Sequence, residues 1–122
     1  MANYFSDNSD ILYQFEHLYL KEIVKFVEED YSQAAKFDYA PVNYEDAIEN
    51  YRRVLEITGD IAANFIAPRS PEIDKEGAQL ENGKVKYAKG TRESLDMLAK
   101  AELLGMILPR EYGGLNLPTT IY

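Results

Sequence analysis

The sequence predicts an all-α fold: a small bundle of about four to five helices, with one short β-hairpin near residues 79–87. Two observations predict it. Apolar residues recur at helical spacing in three clear stretches of the chain. A single Asn82-Gly83 pair between two short runs is typical of a tight hairpin turn. At 122 residues, the chain is long enough for one domain with a modest core.

The first helical pattern begins at Ser9 or Asp10, since either side chain can cap a helix. Its apolar positions are Ile11, Leu12, Phe15, Leu18 and Tyr19. A second run places Ile23, Phe26, Val27, Tyr31, Ala34 and Ala35 on one predicted side. The spacing fits either one long helix or two helices with a bend near Tyr19-Leu20.

The third helix is the most strongly predicted element. Pro41 ends the preceding run, and Asn43 is a good N-cap. The apolar stripe consists of Ile48, Tyr51, Leu55, Thr58, Ala62, Phe65 and Ile66. Gly59 is either a point of close helix packing or a tolerated glycine, and the helix is expected to stop near Ala67, before Pro68.

Residues 67–90 contain prolines and glycines and are predicted to form a long connector that includes the hairpin. Thr91 is the expected N-cap of a last helix over 95–104, with apolar positions at Leu95, Leu98 and Leu103. Gly105 is then expected to close that helix in the left-handed conformation.

The charge is unevenly distributed. Residues 1–66 carry 13 Asp and Glu against 5 Lys and Arg, whereas residues 67–122 carry eight of each. An acidic half disfavours nucleic acid and anionic membrane surfaces as partners, and a solvated helical surface is the simpler interpretation. The chain has no Cys, no basic-apolar leader and no run of about 18 apolar residues, so a cytoplasmic protein is expected.

No residue is assigned a catalytic, cofactor-binding or metal-binding role from spacing. His17 is the single histidine and lacks a metal-ligand partner, so we interpret it as a surface or packing residue. The carboxylates at Glu28-Glu29-Asp30 and Glu45-Asp46 are adjacent in sequence and diverge on a helix, which indicates solvated faces. The run at 72–77 lacks the alternation of a calcium loop.

The glycines do not form a phosphate-binding motif. Neither Gly83-Lys84 nor Gly113-Gly114 lies in a glycine-rich frame between a strand and a helix. The sequence also lacks the strand-helix alternation of a dinucleotide-binding fold.

The most specific motif lies near the end of the sequence: Leu-Pro-Arg-Glu-Tyr-Gly-Gly-Leu at 108–115, followed by Pro118. Before it come Ile-Ala-Pro at 66–68, Glu-Ile-Asp-Lys-Glu-Gly at 72–77, and the helix over 95–104 with Gly105. In this order and spacing, residues 44–122 resemble the N-terminal helical domain of flavin-dependent acyl-CoA dehydrogenases.

That resemblance implies a parent enzyme that uses FAD to α,β-dehydrogenate acyl-CoA thioesters, with an acyl-CoA substrate and an electron-transfer partner. In the family, a carboxylate base removes the α proton while a hydride passes to the flavin. The flavin-contacting motifs and the catalytic glutamate lie in later parts of the family's chain. This segment is therefore expected to pack on the flavin and catalytic domains and to be inactive alone.

The resemblance also divides the chain. Residues 1–43 are predicted to be an N-terminal helical extension, and residues 44–122 the family's helical domain, incomplete at its C-terminus. Two alternatives remain open: a self-contained helical interaction or dimerisation module, and a flavin-enzyme relative with another task, such as nitroalkane oxidation or DNA-damage response. The stripe of the third helix and the apolar cluster at 103–107 cannot all face one small core, so we expect exposed apolar surface and a homo-oligomer.

Overall fold

The computed structural model describes residues 2–122 and confirms a mostly helical domain with one antiparallel hairpin. The helices are α1 (Ser9–His17), α2 (Lys21–Val27), α3 (Tyr44–Asp60), α4 (Ser70–Glu76) and α5 (Lys89–Lys100). The strands are β1 (Gln79–Glu81) and β2 (Lys84–Lys86). Short 3₁₀ turns at Ser32–Ala35, Leu103–Gly105 and Arg110–Tyr112 complete the path.

The first two runs form separate helices. Leu18 is extended, with ψ of 130°, and breaks the chain between α1 and α2. The N-cap of α1 is Asn8, whose side chain accepts from the backbone N–H groups of Asp10 and Ile11. The prediction of Ser9 or Asp10 as the cap was therefore wrong by one position, because Asn8 is an equally good cap and lies one residue earlier.

The predicted apolar face of the second run was wrong. Phe26 is 85% exposed, whereas Val24 and Glu28 are completely buried. The periodicity fails because α2 ends at Val27 and the next residues leave the helical region. Glu29, Asp30 and Tyr31 all have left-handed φ values of 52° to 63°. A face extrapolated from Ile23 to Ala35 therefore crosses a turn that rotates the later side chains away.

Helix α3 begins as predicted. The Asn43 side chain caps it by accepting from the backbone N–H of Asp46 at 2.9 Å. Its predicted stripe lies against the core, with Tyr51 fully buried and Ile48, Leu55 and Phe65 partly buried. Glu49 and Arg53 form an ion pair one turn apart on the exposed side.

The predicted stop before Pro68 was wrong, and so was the connector over residues 67–76. After Asp60 the helical path continues through a π-helical turn (Ile61–Ile66), a 3₁₀ turn (Ala67–Arg69) and then α4. Pro68 and Pro71 each lie at the start of one of these short segments. A proline is tolerated there because its missing N–H is not needed by the first turn of a helix.

The hairpin is confirmed. β1 pairs antiparallel with β2, and Leu80 lies opposite Val85 across an Asn82-Gly83 turn. Both turn residues have positive φ, as this short connection requires. All six strand residues are exposed, so the ribbon projects from the helical body.

Helix α5 begins at Lys89, two residues before the predicted cap at Thr91. The Glu76 carboxylate, from the end of α4, accepts from the Lys89 backbone N–H at 3.2 Å and so caps α5 from a distance. Gly90 permits the approach, because a Cβ there would lie 2.6 Å from Cγ1 of Ile73 in α4.

The end of α5 also differs from the prediction. The helix ends at Lys100, and Glu102 rather than Gly105 takes the left-handed conformation, with φ of 60°. Gly105 belongs to the following 3₁₀ turn. The left-handed closing residue thus comes three positions earlier than glycine placement alone predicts, at some cost in backbone strain.

Residues from both predicted segments contribute to one core. It combines Phe5, Phe15, Leu20 and Val24 with Ala47, Tyr51, Ile61, Leu103, Met106, Leu117 and Ile121. The close approach predicted at Gly59 is confirmed, although its partner is the N-terminal segment rather than a helix. A Cβ on Gly59 would lie 2.6 Å from the Phe5 backbone nitrogen. The boundary at residue 43 stays a prediction.

Candidate functional site

The most unusual feature of the interior is a buried ion pair between Glu28 and Arg110. Glu28 is 0% exposed and Arg110 is 5% exposed. Arg110 Nη1 donates to Glu28 Oε2 at 2.6 Å, and Nη2 donates to Oε1 at 3.0 Å. This two-point geometry matches the planar guanidinium to the carboxylate and fixes the orientation of both groups.

Two further polar side chains complete this network. The Tyr51 hydroxyl donates to Glu28 Oε1 at 3.1 Å, and Arg110 Nη1 also donates to Gln33 Oε1 at 2.7 Å. Burial, reinforced by the adjacent Glu28 carboxylate, raises the pKa of Tyr51 far above its ordinary value. The phenol therefore remains a neutral hydrogen-bond donor, and Glu28 accepts from two different elements of the fold.

The connector from Gly105 to Leu117 holds Arg110 in position. The backbone N–H of Asn116 donates to the Leu108 carbonyl, and that of Leu117 donates to the Met106 carbonyl, both at 2.9 Å. Gly113 has φ of 82°, and Gly114 lies against the Leu108 carbonyl with no room for a Cβ. The Gly-Gly pair therefore makes a tight loop that directs Arg110 into the interior.

The same connector is tied to α2. The Asn116 side chain donates to the Val27 carbonyl at 2.9 Å. This bond satisfies an acceptor at the C-terminal end of α2, next to the turn that carries Glu28. The Glu28–Arg110 pair and the Asn116–Val27 bond together join the N-terminal third of the chain to its C-terminal loop.

A cavity of about 210 Å³ lies beside the ion pair. Its walls come from three places: residues 39–41, α3, and the connector. The lining residues are Tyr39, Pro41, Asn50, Tyr51, Arg53, Val54, Arg110, Leu115 and Leu117. A second, more polar cavity of about 280 Å³ lies toward Gln33, Lys36 and Glu111 and also touches Arg110.

Sequence reasoning missed this site. The interpretation of Glu28 as part of a solvated face was wrong, although Glu29 and Asp30 are exposed as predicted. A signal was present, since Leu20, Val24 and Glu28 are four residues apart and share one helical face. Arg110 stood in the best-recognised motif, but its buried partner is 82 residues away.

The other residues considered from sequence lie apart from this network. His17 is exposed, stacks on Tyr13, and has Nδ1 2.8 Å from the Tyr13 carbonyl oxygen. The Asp46 carboxylate accepts from the Val42 backbone N–H. Across residues 2–122, no three His, Cys, Asp or Glu side chains are placed together as metal ligands. Nor is any helix in that range long and apolar enough to cross a membrane.

The glycine-rich loops do not fit a flavin phosphate group. The backbone N–H groups of Gly113 and Gly114 donate to the carbonyls of Arg110 and Pro109 within the connector. The Gly83 turn lies on an exposed ribbon with no helix N-terminus after it. The described residues therefore provide neither arrangement by which backbone amides bind a dinucleotide.

The chain is similar to the 3-methylmercaptopropionyl-CoA dehydrogenase of Ruegeria pomeroyi. The two are 30% identical over 112 residues, which is 92% of this chain and 17% of the dehydrogenase. This chain thus spans about a sixth of the length of that relative. No family model matches the sequence, and no solved structure matches it. The similarity supports a domain of the acyl-CoA dehydrogenase family, and so suggests an oxidoreductase as the parent enzyme.

Proposed function

We propose that this chain is a helical domain of an FAD-dependent acyl-CoA dehydrogenase, in which it packs on the flavin and catalytic domains. One observation carries the proposal: the 30% identity that extends over almost the whole chain to an enzyme of that class. The order of the motifs from Ile66-Ala67-Pro68 to the Gly113-Gly114 connector supports it independently.

In this proposal the chain has a structural role. FAD, the acyl-CoA thioester, the catalytic base and the electron-transfer partner are bound by other parts of the parent enzyme, and the domain is inactive alone. The flavin supplies hydride acceptance when bound, and the helical domain supplies a rigid packing surface. The buried Glu28–Arg110 pair contributes to that rigidity because it fixes the connector against α2.

A chimera tests the proposal. The 112-residue segment of the Ruegeria enzyme that aligns with this chain is replaced by the corresponding residues of this chain. Dehydrogenation of 3-methylmercaptopropionyl-CoA, the substrate in that enzyme's name, is then followed with an artificial electron acceptor. We expect measurable activity, because a domain of the same family should reproduce the packing surface.

The matched control is the same chimera with Gly114→Ala, which disrupts the connector. We expect this variant to lose most of the chimera's activity, while Gly105→Ala retains it. A chimera that folds but shows no activity, beside an active unmodified enzyme, would contradict the proposal.

Self-association is a second candidate role, and exposed apolar residues favour it. Leu80, Val85 and Tyr87 on or beside the hairpin are 61–74% exposed, and Phe26 is 85% exposed. The predicted cluster at 103–107 is divided, with Leu103 and Met106 buried and Leu104 and Ile107 exposed. Exposed apolar surface of this kind is typical of interaction sites. In this role the chain forms homo-oligomers, with no other domain required.

A further inference from the structure

The cavity between α3 and the connector contains an unused hydrogen-bond donor. Arg110 Nε is buried and has no hydrogen-bond partner within the described part of the chain. Both terminal nitrogens of the same guanidinium are engaged, by Glu28 and Gln33. An unpaired buried N–H is costly, so an acceptor at this position would be bound favourably.

The geometry of the guanidinium shows which cavity this donor faces. In arginine, the Nε–H bond and Nη2 lie on one edge of the planar group, and Nη1 lies on the other. Nη1 donates to Gln33, which lines the second cavity. Nη2 donates to the Glu28 oxygen that also accepts from Tyr51, and Tyr51 lines the first cavity. The free N–H is thus on the side of the first cavity.

The walls of this cavity define the rest of the ligand. Pro41, Val54, Leu115 and Leu117 make most of them apolar, and Tyr39 and Tyr51 add aromatic rings. The cavity measures about 210 Å³. Dry apolar cavities of about 150 Å³ in proteins bind molecules the size of benzene. A substituted six-membered ring therefore fits.

We propose that this cavity binds a small neutral organic molecule, of the size of a substituted benzene, through one carbonyl-type oxygen that accepts from Arg110 Nε. This inference does not depend on the proposed function.

The ligand is neutral because the charge of Arg110 is already balanced. Glu28 forms a two-point pair with the guanidinium, and both groups are buried. An anionic ligand on Nε would place a second negative charge beside the Glu28 carboxylate in a poorly solvated site. A carbonyl oxygen satisfies the donor without that repulsion.

Three probes of similar size test the proposal on the ¹⁵N-labelled chain: acetophenone, ethylbenzene and benzoate. The Arg110 Nε–H resonance is assigned by its loss in Arg110→Lys, which retains a cation for Glu28. We expect acetophenone to shift this resonance and to bind about tenfold more tightly than ethylbenzene, because the latter lacks an acceptor. Benzoate is expected to bind more weakly than acetophenone.

Two variants locate the binding. Val54→Phe fills the cavity and should abolish the acetophenone shift, whereas Val42→Phe changes an exposed valine outside the cavity and should leave it intact. Loss of the shift in both variants, or in neither, would place the probe elsewhere and overturn the proposal. So would equal affinity for acetophenone and ethylbenzene, tighter binding of benzoate, or no shift at all, which would leave only water in the site.

Discussion

Arg110 and Glu28 lie 82 residues apart in the sequence and meet in the interior through two hydrogen bonds of 2.6 and 3.0 Å. Arg110 comes from the Pro109–Gly114 loop, and Glu28 follows the last residue of α2. The pair therefore fastens the N-terminal helices to the connector that carries the most specific motif of the sequence. Its removal should affect the whole fold.

Arg110→Met should lower the free energy of unfolding by about 3–5 kcal/mol, because it leaves a buried carboxylate without its partner. Urea unfolding of the purified chain measures this. Arg53→Met removes the exposed partner of Glu49 and should cost less than about 1 kcal/mol. Adding Glu28→Gln to Arg110→Met should restore part of the loss, since the uncompensated charge is then gone. Equal costs for the Arg110 and Arg53 variants would show that the pair is unimportant.

Tyr51→Phe should remove one hydrogen bond to Glu28 and lower stability by about 1–2 kcal/mol near neutral pH. Its pKa is raised above the ordinary value of 10.0 in the folded state, so folding favours the neutral phenol. The hydroxyl's contribution is then complete below about pH 10 and declines as the pH rises further, when the unfolded chain ionises. The stability difference between the native chain and Tyr51→Phe should therefore shrink between pH 9 and 11. A difference that grows over this range would contradict the assignment.

Gly114→Ala should destabilise the chain by about 2–4 kcal/mol, because its Cβ would overlap the Leu108 carbonyl, which is backbone and cannot rotate away. Gly105→Ala is the matched control. A Cβ there would lie at an ordinary 3.6 Å from Leu108 Cδ1. Thermal unfolding by circular dichroism should show a large decrease for the first variant and a small change for the second. Similar midpoints would mean that the connector is looser than the structure indicates.

The chain should form dimers or larger species at tens of micromolar, because the hairpin is exposed on both faces and a two-stranded ribbon alone is marginally stable. Replacing Leu80 and Val85 together with Thr should shift the chain toward the monomer in light scattering, since this cross-strand pair is the hairpin's apolar surface. Phe26→Ser removes a comparable exposed side chain from α2 and should change the distribution less. A monomeric native chain would exclude the homo-oligomer.

Local signals predicted the elements whose causes are local. The Asn43 cap, the stripe around Tyr51 and the Asn82-Gly83 hairpin each depend on residues within a few positions of one another. Errors arose where the backbone changed course without a glycine, as in the left-handed turn at Glu29–Tyr31. Prolines misled in the same way, because Pro68 begins a new helical segment instead of ending one.

The candidate site was beyond sequence reasoning for a different reason. Helical periodicity placed Tyr51 inside, but no periodic pattern links Arg110 to Glu28 across 82 residues. The cavity beside them is likewise formed by three separate parts of the chain. Only the packing of α2, α3 and the connector brings these groups together.

The most direct test of the proposed function is the absorbance spectrum of the purified chimera that carries this domain in the Ruegeria enzyme. Correct packing of the helical domain on the flavin domain should give a yellow protein with near-stoichiometric FAD. A folded but colourless chimera, prepared beside a yellow unmodified enzyme, would contradict the assignment of this chain to an acyl-CoA dehydrogenase.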